Sequence, residues 1–208
     1  MSRHSRSDRG QAFTLEGFIG AMVVLLAVLL ALQAVVITPT TGGTIDRSIQ
    51  AQQQQELQDS LIVADEAGDL SRMVRHWEVD EDGVGFEGSD ENLPDGKYDP
   101  ETFEAEFEFR LAEILSERFA EGDGRNYNVE LHHPEGDEPV KLVYQGQPDT
   151  NAFTASKMIT LYDDQRLTGE GSTDRTLGGV NDDPGNPPIP KNASGDVYNV
   201  VEVRVVVW

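Results

Sequence analysis

No cysteine occurs among the 208 residues. Thiolate chemistry and disulfide staples are therefore excluded, and any folded part must rely on its core. Positive charge is also scarce. Sixteen Lys and Arg stand against 38 Asp and Glu, and only four of the sixteen are lysines: Lys97, Lys141, Lys157 and Lys191. Such a surface disfavours nucleic acid, whose phosphates need a basic face. At low salt it repels itself, and a short Debye length at high salt removes that penalty. The acid-rich, lysine-poor balance points to a halophile. Catalytic signatures are missing as well. There is no Gly-x-x-x-x-Gly-Lys phosphate loop and no Gly-x-Ser-x-Gly elbow. His132 and His133 are adjacent on a predicted strand, so they point to opposite faces and do not share one metal. No internal repeat is present. These absences predict a protein that is not an enzyme and carries no cofactor and no metal.

What is present is concentrated near the start. Arg3, Arg6 and Arg9 precede an apolar run, against the single acid Asp8. From Gly17 to Ile37 only Gln33 is strongly polar. As a helix this stretch would be about 31 Å long, enough to cross a hydrocarbon core of ~30 Å. Pro39, Gly42 and Gly43 end it. The reading is a transmembrane helix over 11–37 and a hinge over 38–43. The N-terminus lies in the cytoplasm by the positive-inside rule, and the acidic remainder lies outside. A secretory signal peptide would have a shorter apolar region and a small-x-small site. Within the helix, Gly17 and Gly20 would let neighbouring helices approach closely. Glu16 stands at its mouth, where a carboxylate is costly without a partner.

The stretch Arg9-Gly10-Gln11-Ala12-Phe13-Thr14-Leu15-Glu16 resembles the N-terminus of type IV pilin precursors, archaeal members and archaellins included. That resemblance implies a leader, 1–10, removed by a prepilin peptidase between Gly10 and Gln11. A cut between Gln11 and Ala12 is the alternative. It would place Glu16 at the fifth mature position, as in bacterial pilins, instead of the sixth. The resemblance further implies that Phe13 and Glu16 serve assembly, with Glu16 meeting the new α-amino group of a neighbouring subunit. The implied partners are an assembly ATPase, a membrane platform protein and other pilin-like subunits. The product is a cell-surface filament, with the chain held as a single-pass membrane protein before assembly. The resemblance covers roughly the first 40 residues. The competing reading is a single-span surface binding protein whose helix is an uncleaved anchor.

Beyond the hinge, apolar positions from Ile45 to Trp77 predict a stalk helix over 44–79, with Gly68 as a break. Gln50 to Gln58 is polar almost all round, which fits an exposed stalk or a subunit contact. Residues 80–208 are expected to form an α+β head. Asp80 to Pro100 reads as an acidic loop, because Asp80-Glu81-Asp82-Gly83 lacks EF-hand spacing. Phe103, Phe107, Leu111, Ile114, Leu115 and Phe119 give Glu101–Ala120 one apolar face. Strands are expected at Asn126–His133, Val140–Gln145, Lys157–Tyr162 and Tyr198–Trp208. Strands that follow helices without helical crossovers predict an antiparallel sheet packed on helix. Thr168 to Asp196 reads as a mobile loop rich in Gly, Pro and Asp. Within it, Asn192-Ala193-Ser194 matches the N-glycosylation sequon.

Overall fold

The computed structural model describes residues 16–28, 41–81, 83–90, 92–93, 96–106, 110–180 and 186–208. The chain divides into two units, Met1–Arg47 and Ser48–Trp208.

In the first unit, residues 16–28 are helical (α1). The expected transmembrane helix over 11–37 is not supported. Among the described residues no helix is long and apolar enough to cross a membrane. The 13 described residues of α1 account for a rise of about 20 Å, against a ~30 Å hydrocarbon core. The fold class is therefore corrected to a mixed helix and antiparallel-sheet architecture without that span.

The stretch expected as a stalk helix with a break at Gly68 is divided there. Helix α2 runs Thr41–Glu66, so Gly42 and Gly43 of the expected hinge are helical. Gly68, in a left-handed conformation (φ 80°), then leads into α3, Asp69–Val74. Trp77–Val79 is already strand β1, paired with β2, Val84–Phe86. The Asp80–Gly83 run closes this hairpin. Asp80 N donates to Gly83 O at 3.0 Å and Gly83 N to Asp80 Oδ1 at 2.9 Å.

Helix α4, Pro100–Glu106, begins as a capped helix should. Asp99 Oδ1 accepts from the N–H groups of Glu101 and Thr102, and Pro100 occupies the first turn, where its missing N–H costs nothing. Helix α5, Arg110–Ile114, widens into a π-helical segment, Leu115–Gly122. Phe103, Leu111, Leu115 and Phe119 of the expected apolar face are buried, and Phe107 lies outside the described residues.

The main sheet has four strands: β3 Tyr127–His132, β4 Val140–Val143, β5 Phe153–Tyr162 and β6 Val197–Val207. Their order is β4-β3-β6-β5 and every pairing is antiparallel. The longest strand, β6, is central. Its Val201, Val203, Val205 and Val207 are all fully buried, as strict alternation requires. They share the core with Val129 and Leu131 of β3, Ile159 and Leu161 of β5, and Leu57, Leu61 and Ala64 of α2. Trp77 meets Phe86 edge-on, ring centroids 6.3 Å apart, and lies the same distance from Tyr198.

Strand β5 is an edge, and a bare edge exposes unpaired backbone groups. The glutamine-rich part of α2 covers part of it. Gln50, Gln54 and Gln58 recur every four residues, so they share one helix face. Their side-chain amides donate to the carbonyls of Asn151, Thr154 and Ser156, each at 3.3 Å. Lys157 Nζ meets Asp65 Oδ2 at 3.0 Å along the same seam. The polar stretch is thus fastened to the sheet of its own chain.

The loop expected over Thr168–Asp196 is also anchored. Thr168 Oγ1 donates to Arg72 O at 2.7 Å, and Val79 N donates to Ser172 Oγ at 3.0 Å. A short helix, α6 Leu177–Val180, buries Leu177 and Val180, and Ile189 is buried further on. Gly169 passes so close to the Trp77 carbonyl that any Cβ there would collide with it.

Two adjacent residues of α2 test this packing. Leu61 is fully buried, whereas Ile62 is 37% exposed. Leu61→Ala is expected to lower unfolding stability by about 2–5 kcal/mol. Ile62→Ala should stay within about 0.5 kcal/mol. Denaturant unfolding of the two variants checks the assignment, and equal losses would contradict the helix register.

Candidate functional site

Chemistry and exposure single out α1. Phe18, Ile19, Met22, Val23, Val24, Leu25, Leu26 and Val28 are each more than half exposed. Helical residues step round the axis by about 100°, so these eight positions occupy every side of α1. Full burial of each such side chain is worth about 1.5–3 kcal/mol. A helix that is apolar all round is stable only when surrounded. A one-sided groove would leave half of this surface in water. Gly17 and Gly20 have nothing within 4 Å of where a Cβ would stand, so the surface is open beside them. Glu16 is exposed and helical, one turn before Gly20.

The other residues expected to act near the start, Arg9, Gly10, Gln11 and Phe13, lie outside the described residues. Asn192 is described. It is exposed, on the segment that leads into β6.

Two further features of the second unit escaped the sequence reading. The first is an open groove of about 610 Å³ between α2 and α5, lined by Glu56, Asp59, Ser60, Val63, Arg110 and Arg118 among others. Its charges are used internally. Arg118 pairs with Glu56, and Arg110 Nη1 meets Glu113 Oε2 at 2.8 Å. The second is a charged band across the outer face of the sheet. Register places Glu130 and Ser156 on either side of Arg204, and His132 and Met158 on either side of Glu202. Arg204 Nη2 donates to Glu202 Oε2 at 2.9 Å, and a His132 ring nitrogen lies 3.0 Å from Glu130 Oε2. The signal was the i, i+2 spacing of Glu130 with His132 and of Glu202 with Arg204, which puts each pair on one strand face. Burial lowers the basicity of His133. Among the described residues no group of three His, Asp or Glu side chains is arranged to hold a metal ion. The band holds the Arg204–Glu202 ion pair beside the His132–Glu130 contact.

Comparison with known proteins places the chain in a family. The model of a family of unknown function, DUF7288, covers residues 9–207. No curated protein and no solved structure matches the chain.

The charged band has a pH signature. The Ser156 hydroxyl, then Arg204, stabilise the Glu202 carboxylate and hold its pKa below the ordinary glutamate value. A carboxyl depressed in the folded state adds stability above its unfolded pKa of about 4.3. That contribution disappears as the pH falls through the lower, folded value. Glu202→Gln is therefore expected to flatten the acid limb of a stability-against-pH curve. Urea unfolding between pH 3 and pH 7 measures it, and an unchanged slope would contradict the assignment.

Proposed function

We propose that this chain, which belongs to the DUF7288 family, is a type IV pilin-like subunit of a cell-surface filament or related assembly. The observation that carries the reading is α1. It begins at Glu16, is apolar on every side beyond that residue, is exposed, and adjoins a segment that resembles a prepilin processing site. Several copies packing their α1 helices together would bury all sides at once, as a filament core does. Close approach at Gly17 and Gly20 favours such packing, because dispersion contacts multiply where backbones come near.

In this reading a prepilin peptidase cuts after Gly10 and frees the α-amino group of Gln11. Glu16 of one subunit faces that amino group on a neighbour. Opposite charges brought together in a water-poor core attract strongly, and the pair sets subunit register. An assembly ATPase and a membrane platform protein drive the addition of subunits. The second unit, with its self-contained core, stands on the outside at the cell surface. Its acid-rich, lysine-poor composition suits an archaeal host living at high salt.

N-terminal sequencing of the protein from its native host tests this. The mature chain is expected to start at Gln11 and to keep its leader when the prepilin peptidase gene is deleted. A start at Ala12 keeps the class and shifts the cut by one residue. A chain that retains Arg9-Gly10 in the wild-type host would contradict the reading. Glu16→Gln should be processed normally yet yield at least tenfold less assembled material in a sheared surface fraction.

A further inference from the structure

The chain holds one Asn-x-Ser/Thr sequence, Asn192-Ala193-Ser194, and nothing in the filament reading uses it. Its surroundings distinguish it from the two buried asparagines within the sheet. Asn128 is 1% exposed, and its amide nitrogen donates to Gly146 O at 3.0 Å. Asn199 is 1% exposed, and its amide nitrogen donates to Pro190 O at 2.6 Å. Asn192 is exposed, and its side-chain amide has no hydrogen-bond partner among the described residues. Ser194 beside it is exposed too.

The backbone around the sequence is held in place. The N–H groups of Asn192 and Ala193 both donate to Tyr198 O, at 3.0 and 3.2 Å. Tyr198 Oη donates to Ile189 O at 2.9 Å, and Lys191 Nζ meets Asp163 Oδ2 at 2.5 Å. Gly195, at φ 75°, then turns the chain into β6. The result is a pinned surface turn that presents a free carboxamide to solvent. A bulky polar addition there displaces no core side chain.

We propose that Asn192 is an N-glycosylation site that carries an oligosaccharide on the outer surface of the second unit. The proposal rests on the outside placement of that unit in the filament reading. The donor class is an oligosaccharide linked through phosphate to a membrane lipid. In the transfer, the bond from the anomeric carbon to the phosphate oxygen breaks and a bond from that carbon to Asn192 Nδ2 forms. The lipid phosphate leaves with the electron pair, and Nδ2 loses one proton to the transferase. No oxidant or reductant is needed.

The test is peptide mass mapping of the full chain purified from its native host, with the N-terminus of the same sample determined in parallel. Most copies are expected to carry a sugar mass on the peptide that contains Asn192. Asn192→Gln and Ser194→Ala should abolish it, while Ser194→Thr should keep it. Both positions are exposed, so folding is not at stake. An unmodified Asn192 in a sample that starts at Gln11 would overturn the glycan and leave the filament reading standing. A sugar on Asn192 in a chain with an uncut leader would keep the glycan and overturn processing. A sugar that persists in Asn192→Gln would overturn this site, and a chain both uncut and unmodified would overturn both proposals.

Discussion

A helix of 13 described residues that is apolar on every side and exposed along its length constrains everything else about this protein. Amphipathic helices settle by turning one stripe inward, and α1 has no polar stripe to leave in water. Phe18, Met22 and Leu25 lie on one side while Ile19, Val23 and Leu26 lie on the next. Such a surface calls for neighbours all round. Together with the junction at Arg9-Gly10, that requirement favours assembly from many copies over attachment to one binding site.

The second unit is built so that it makes no similar demand. Its core is continuous from α2 through the sheet to the Trp77–Phe86 hairpin. The glutamines of α2 close part of the β5 edge, which otherwise invites strand addition from another chain. Ion pairs occupy the outer sheet face and the groove between α2 and α5. The acidic surface keeps copies of this unit apart at low salt, and screening at high salt relaxes that repulsion. Among the described residues, exposed large apolar side chains are thus concentrated in α1.

Much of this division could be read in the sequence, and the failures have physical causes. Alternating valines from Val201 to Val207 announce a half-buried strand, and the antiparallel four-stranded sheet was legible from such periods. Strands β1 and β2 were not, because three residues are too few to show alternation and Trp77 also fits the helical stripe of α2 and α3. The glutamine seam was unreadable because Gln50, Gln54 and Gln58 bond to carbonyls about a hundred residues away. The loop after Thr168 looked free because its anchors are mostly backbone groups, which composition does not reveal. The membrane span failed for a different reason: hydropathy over 11–37 measures what a segment would bury, and among the described residues no helix is both long and apolar enough to cross a membrane. Of the candidate site, Glu16 and Asn192 were legible as residues, and their exposure was not.

The absence of cysteine makes the packing of α1 directly measurable. A single cysteine introduced at Leu25, on the apolar surface of α1, would be the only thiol in the chain. The native-host surface fraction would be treated with a short bifunctional thiol reagent, with Thr160→Cys on the exposed sheet face as a control for chance encounters. Abundant dimers linked through position 25 and few through position 160 are expected. Monomers alone at position 25, or equal linking at both positions, would contradict burial of α1 among copies of this chain.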